Sequence, residues 1–186
     1  MENEKLKNDI EEDIDKKGMT TALEYAQNSE DPNTKVGACI VSDSQVISKG
    51  CNNAPIEWKN IPWDRDIEKL GEYNTKYPYV IHAEMNAIFN AIFLSNKPLN
   101  DSIMYVTLFP CSNCAKLIVK SKISMVIYKE YRECEDAKAA KRFLTECGVT
   151  LISYDDLMRA KDYLTRLEKN KVFKLKQGGI KWKSEM

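Results

Sequence analysis

Two short stretches hold residues whose types and spacing could do chemistry. His82-Ala83-Glu84 offers an imidazole with a carboxylate two positions on, and Pro110-Cys111-Ser112-Asn113-Cys114 offers two thiols at CxxC spacing. His82 is the sole histidine of the chain, so no second imidazole can serve as ligand or base. Structural zinc usually takes four protein ligands, whereas catalytic zinc takes three and keeps one position for water. His82, Cys111 and Cys114 make three. Cysteines three apart in the first turn of a helix turn both sulfurs to one side, and the positive end of the helix favours the thiolates that zinc requires. Zinc lowers the pKa of water that it holds, and Glu84, left unligated, can move protons nearby. Each half alone is ambiguous. A CxxC can be a structural half-site or two buried thiols, and a His beside a Glu is common in helices.

These residues need elements to hold them. The segment from His82 to Leu94 follows a helical period, with Met85, Ile88, Phe89, Ile92 and Phe93 as the expected inward stripe. Pro110 sits where a second helix should start, after a β-prone strand over Ile103 to Leu108. That helix continues inward through Cys111, Cys114, Ala115, Ile118 and Val119. Upstream, residues 1 to 17 are polar and Gly18 is expected to interrupt a helix, leaving a short one from Met19 to Asn28 with Met19, Ala22, Leu23 and Ala26 inward. Val36 to Val41 and Gln45 to Lys49, parted by Ser42-Asp43-Ser44, read as a hairpin. The stretch from Ile56 to Pro78, with Trp58, Trp63, Tyr73 and Tyr77, lacks a sustained period and reads as an ordered, partly helical insertion that caps a ligand, packs against a neighbouring subunit or simply covers the fold. Downstream come a strand at Met125 to Tyr128 and a helix at Glu135 to Cys147 with Ala139, Ala140, Phe143 and Leu144 inward. A strand at Val149 to Ser153 and a helix at Asp155 to Asn170 follow. Strands feeding helices predict a partly parallel sheet covered on both faces.

The bulk numbers suit that reading. A chain of 186 residues supports one core, so the expectation is a polar segment at 1–18, one domain at 19–170 and a lysine-rich tail at 171–186. With 43% hydrophobic and 30% charged residues, the chain has a globular composition, and no apolar run is long enough to span a bilayer. The start lacks an apolar signal core, which favours a cytoplasmic protein. Six cysteines in a chain of this kind favour metal binding and buried thiols over disulfides, which makes Cys39, Cys51, Cys134 and Cys147 core or helix-face residues. A formal net charge of zero exerts no general pull on nucleic acid and favours a small ligand in a pocket. Lys171, Lys174, Lys176, Lys181 and Lys183, interleaved with Phe173 and Trp182, could touch nucleic acid, but a solvated tail is the simpler account.

Together, HxE followed by PCxxC is the signature of zinc deaminases. The chain resembles the cytidine deaminase-like superfamily and, within it, the deoxycytidylate (dCMP) deaminases. The likeness spans roughly Ala22 to Tyr154 and rests on Asp31-Pro32-Asn33-Thr34-Lys35-Val36-Gly37-Ala38, on Asn74-Thr75-Lys76-Tyr77-Pro78-Tyr79-Val80-Ile81-His82-Ala83-Glu84-Met85-Asn86-Ala87-Ile88, and on Tyr105 to Ile118. The zinc motif is shared superfamily-wide, and the longer strings narrow it to the dCMP branch. The resemblance implies an α/β fold, a three-layer α/β/α sandwich around a mixed sheet of about five strands. It also implies one zinc per chain and a homo-oligomer, often a hexamer. The implied reaction is hydrolysis of dCMP to dUMP with release of ammonia, supplying dUMP for thymidylate synthesis. By the same likeness, Glu84 passes a proton to N3 of the base and then to the departing amine. The Ala83 N–H holds the base carbonyl, Asn52 meets the sugar hydroxyl, and Val36 and Pro110 wall the ring.

Two departures stand out. Relatives carry Gly-Tyr-Asn-Gly where this chain has Gly50-Cys51-Asn52-Asn53, a loop associated with the activator dCTP, so Gly50 and Asn53 are allosteric candidates in altered form only. Basic residues usual before the Asp-Pro are replaced by Asn28 and Glu30, which leaves Lys35 and Lys76 as the candidates for the 5′-phosphate. The alternatives are a deaminase of another cytosine substrate (a nucleoside, a modified dCMP or a nucleic acid) and a non-catalytic zinc-stabilised interaction domain. An unligated acid beside the zinc ligands speaks against the last.

Overall fold

A computed structural model describes residues 13–58, 60–95 and 97–177. It divides between Ser153 and Tyr154 into two compact units. The first unit is built on five strands: β1 (Gly37–Ser42), β2 (Gln45–Cys51), β3 (Ile103–Leu108), β4 (Met125–Glu130) and β5 (Thr150–Ser153). They lie in the order β2-β1-β3-β4-β5. The β2-β1-β3 side is antiparallel and the β3-β4-β5 side is parallel. This is the expected mixed five-stranded sheet. β1 and β2 form the expected hairpin, turning at Asp43 and Ser44 with φ of 49° and 57°. Two positive φ values in a row give the turn the twist of the strands it joins.

Helix α1 (Ile14–Ala26) lies against β1, β2 and β3, with Met19, Ala22 and Ala26 buried and Leu23 turned outward. The expected break at Gly18 does not occur. A Cβ at Gly18 would stand 2.5 Å from the Tyr105 ring, so the missing side chain lets the helix approach the sheet. Packing there outweighs the roughly 1 kcal/mol that glycine costs inside a helix. The Tyr105 hydroxyl also donates to Asp15 Oδ1 at 2.5 Å, and Asp13 caps the helix by accepting from the Asp15 N–H.

In the expected insertion are a one-turn helix α2 (Ile67–Leu70) and a 3₁₀ turn (Glu72–Asn74). Trp58 meets Tyr79 edge-on with centroids 4.6 Å apart, whereas Tyr73 is exposed. Beyond it come α3 (Ala83–Leu94), α4 (Ser112–Lys120) and α5 (Glu135–Glu146). Ala83, Ala87, Ile88, Ala115, Ile118, Ala140 and Leu144 of these helices share one core with Ala38, Ile40, Met104, Val106 and Val126 of the strands.

Two expected faces are rotated. In α3 the buried residues are Ala83, Glu84, Ala87, Ile88 and Ala91, while Phe89, Ile92 and Phe93 are 42, 54 and 78% exposed. A helix seated closely on a strand buries its small residues, and its bulky ones are left on the other side. In α5, Ala137 replaces Ala139 among the buried residues, and Phe143 is 39% exposed. The second unit is helix α6 (Tyr154–Gln177), which runs seven residues past the expected Asn170. Tail residues Lys181, Trp182 and Lys183 lie outside the described residues. Among the described residues no helix is long and apolar enough to cross a membrane.

Candidate active site and metal centre

The site forms where two helix N-termini converge beside the end of β3. Ile81 and Asn53 exchange both backbone hydrogen bonds, at 2.9 and 3.1 Å, which holds the chain extended just before α3. His82 is therefore the N-cap of α3, with φ −71° and ψ 154°, and Glu84 lies in its first turn. Cys111 is the N-cap of α4, its sulfur accepting from the Cys114 N–H at 3.5 Å. The Ser112 N–H donates to Asp136 Oδ2 at 3.1 Å and ties this end to the start of α5.

His82 Nδ1 lies 3.4 Å from the Cys111 sulfur and 3.4 Å from the Cys114 sulfur, and all three donor atoms fall within 4.8 Å of one another. Tetrahedral zinc, with bonds of about 2.3 Å to sulfur and about 2.0 Å to nitrogen, separates such atoms by roughly 3.6 Å. The donor set fits zinc in type, number and spacing. The Cys114 contact pulls the Cys111 thiol down to about 4, against burial and with help from His82, while Cys111 and burial push the Cys114 thiol up. One thiolate forms readily and the second needs a cation, which is how divalent metal binding comes to release protons. The Cys111 contact likewise raises His82 to about 9 against burial, so the ring is strongly basic.

Glu84 is 4% exposed. Burial pushes its carboxyl up to about 6, with His82 acting in the opposite direction. A cavity of about 200 Å³ opens onto these groups, lined by apolar Val36, Val80, Leu108 and Phe109 and by the cations Arg65, Lys76 and Arg132.

This geometry has relatives. Residues 12–130 match the family described as the cytidine and deoxycytidylate deaminase zinc-binding region. The deoxycytidylate deaminase of Homo sapiens is 42% identical over 137 residues, 71% of this chain and 74% of that protein. The chain belongs to the cytidine and deoxycytidylate deaminase family. A probable deoxycytidylate deaminase of Drosophila melanogaster is 40% identical over 139 residues, 70% of this chain and 67% of that one. Among solved structures, the dCMP deaminase of cyanophage S-TIM5 in complex with dCMP and dUMP is 25% identical. It aligns with a TM-score of 0.64 over 77% of this chain and 98% of that chain. Zinc is the cofactor of this family region, and His82, Cys111 and Cys114 are the described residues placed to hold it.

The remaining sequence candidates fall into two groups. Val36, Asn52, Lys76 and Ala83 line the cavity with the zinc donors and Glu84. Lys35, Gly50, Asn53 and Pro110 are not among its lining residues. Lys35 Nζ donates instead to the Gln27 carbonyl at 3.3 Å. The Asn53 side chain accepts from Asn86 Nδ2 at 2.9 Å, and the same amide reaches the Cys51 carbonyl at 2.8 Å. Gly50 has a packing reason. A Cβ there would stand 2.4 Å from the Ala87 nitrogen and 2.5 Å from the Ala83 carbonyl oxygen, so only glycine lets β2 seat the first turn of α3.

Sequence reading missed Asp31 and Arg65. Asp31 is fully buried, and its carboxylate accepts from the Asn33 and Thr34 N–H groups, from Asn52 Nδ2 and from Lys76 Nζ. Burial acts to raise its pKa, but Lys76 and the two N–H groups hold it below the ordinary 3.8. Asn52 is bound in the same network, accepting from the Val36 N–H at 2.7 Å and donating to the Thr34 carbonyl at 2.9 Å. The Asp-Pro-Asn sequence carried the signal for this turn, since aspartate side chains commonly accept from N–H groups two residues on. Arg65 stood in the insertion with no motif to single it out.

Proposed function

We propose that the protein is a zinc-dependent deaminase that hydrolyses dCMP to dUMP and ammonia. The observation that carries this is a buried Glu84 lining the same cavity as three donors placed to hold zinc, in a chain 42% identical to a deoxycytidylate deaminase. A structural zinc site has no use for such an acid. His82, Cys111 and Cys114 would hold the zinc, which would lower the pKa of water enough to make it a nucleophile near neutral pH.

The chain's own residues do the rest. As the first residue of α3, Ala83 has an N–H without an intrahelical partner, and it can hold the base carbonyl. Val36, Leu108 and Phe109 keep the ring in an apolar slot. Glu84, whose carboxyl burial pushes up, can take a proton from the attacking water and pass it to N3, then take the proton of the new C4 hydroxyl and pass it to the amine, which leaves as ammonia while C4 becomes a carbonyl. Asn52, whose side chain is held by Asp31, Val36 and Thr34, stands where it can meet the sugar.

The chain is further proposed to work as a homo-oligomer, up to a hexamer. Support comes from Phe89, Ile92, Phe93 and Leu94, all exposed on the helix that carries Glu84. Contiguous exposed apolar surface of this kind commonly marks a protein interface. The decisive experiment is an ultraviolet assay of dCMP loss on protein carrying one zinc per chain, with deoxycytidine, CMP and a short oligonucleotide as comparators. Turnover of dCMP ahead of the others supports the reading. A zinc-loaded protein that leaves dCMP intact overturns it.

A further inference from the structure

Three cations line the cavity, and their partners separate them. Lys76 is paired with the fully buried Asp31, which also gathers three N–H donors, so drawing Lys76 away would leave a buried carboxylate short of its counter-charge. Arg132 is held at two points by Glu130, with Nε to Oε1 at 2.7 Å and Nη2 to Oε2 at 3.3 Å. That pair is close to neutral as seen by a ligand. Arg65 differs. Among the described residues its guanidinium has no carboxylate partner, and its one contact is from Nε to the Tyr77 hydroxyl at 3.4 Å.

The acids on either side of Arg65 are already engaged. Asp64 Oδ1 accepts from the Arg65 and Asp66 N–H groups, and Asp66 Oδ1 accepts from the Lys69 N–H, so both carboxylates serve the backbone of the turn. The turn is tied to the cavity wall by the Lys76 N–H, which donates to the Asp64 carbonyl at 3.0 Å. Tyr77 lines the same cavity. Accepting from Arg65 leaves its own O–H free to donate outward. A planar guanidinium with unused N–H groups beside a hydroxyl donor is suited to the oxygens of a phosphate.

We infer that Arg65, assisted by the Tyr77 hydroxyl, binds the 5′-phosphate of the nucleotide. The inference rests on the proposed deamination of a cytosine nucleotide and assigns the group that makes a monophosphate the preferred substrate. It also gives the 56–78 insertion a task, because that segment supplies both donors to the cavity lining. Lys76 is left as the counter-charge of Asp31.

The test compares Arg65→Ala and Arg65→Lys with the parent protein, all zinc-loaded, by kinetics on dCMP and deoxycytidine and by calorimetric binding of dUMP and deoxyuridine. Arg65→Ala is expected to raise KM for dCMP about 10- to 100-fold, the range of a charged hydrogen bond, with a much smaller change in kcat. The preference for dCMP over deoxycytidine should fall by the same factor, and dUMP binding should weaken in parallel. Arg65→Lys should restore part of each loss. An equal loss on dCMP and deoxycytidine, or an unchanged KM for dCMP, overturns the assignment while leaving the deaminase reading intact. Parent protein that fails to turn over dCMP but binds dUMP through Arg65 overturns the reaction and keeps the phosphate site. Failure of both overturns both.

Discussion

Glu84 and the zinc donors are adjacent in space but separable in experiment. Glu84→Gln removes the proton carrier and keeps the side-chain volume, so kcat on dCMP should fall by a factor of at least about 10² to 10⁴ while bound zinc, read by elemental analysis, stays near one per chain. Loss of zinc along with activity would place Glu84 among the ligands. Asp31 makes a different prediction. Its carboxyl is depressed in the fold, so the stability it contributes is complete above the ordinary carboxylate value of 3.8 and is lost as pH falls through the lower, folded value. Asp31→Asn should lower stability by roughly 2 to 4 kcal/mol near pH 7, because Lys76 loses its buried counter-charge. In urea unfolding, the gap between Asp31→Asn and the parent should narrow as the pH is taken below about 4. A gap that stays constant with pH would show that the pair contributes shape and not charge. Both residues were unequally legible beforehand. Glu84 sits inside a motif, whereas Asp31 gains its role from Lys76, 45 positions away.

At the scale of elements, the contact between β2 and α3 seats the helix turn that carries Ala83 and Glu84. Gly50 allows it, Ser48 Oγ donates to the Ala87 carbonyl at 2.6 Å, and Asn86 spans to the Cys51 carbonyl. Gly50→Ala should cost about 1 to 3 kcal/mol from overpacking against backbone atoms. Its activity should fall further than that loss implies, since the first turn of α3 carries Ala83 and Glu84. Thermal melting together with kcat at a temperature where the variant is folded checks both parts. The same contact explains why the expected face of α3 was rotated. Period 3.6 marks where apolar residues recur, but α3 has two apolar stripes, one small and one large. Which stripe faces the sheet depends on how closely the helix can approach, and that is a property of Gly50 on another element. Gly18 follows the same logic in reverse, being tolerated within α1 because the Tyr105 ring fills the space a side chain would take.

For the molecule as a whole, the six cysteines should sort into three classes. Cys134 and Cys147 are exposed, Cys111 and Cys114 stand at the zinc centre, and Cys39 and Cys51 are buried. Burial raises the thiols of the last two, Cys39 to about 12. A thiol reagent at neutral pH should therefore modify Cys134 and Cys147 in the zinc-loaded protein, add Cys111 and Cys114 after chelation, and reach Cys39 and Cys51 only on unfolding. Mapping the modified peptides by mass spectrometry checks the order. Early labelling of Cys111 with zinc still bound would contradict the centre described above. Assembly is read at this scale too. Phe93→Asp on the exposed face of α3 should reduce the mass seen by light scattering if that face joins subunits.

The chain's sequence alone determined the zinc donors, the acid beside them and the succession of elements. Each depends on residues within a few positions, where helix caps, CxxC spacing and β-branched runs act locally. It also determined the hairpin, whose turn lies between its own strands. Tertiary structure alone decided which face of α3 is buried, which cavity cation has no carboxylate partner among the described residues, and why Gly50 must be glycine. Those properties arise from groups tens of residues apart, whose distances are set by packing. His82, Cys111 and Cys114 were legible because one metal ion imposes one pattern. Arg65 was not, since what sets it apart is that Lys76 and Arg132 have carboxylate partners and, among the described residues, it has none.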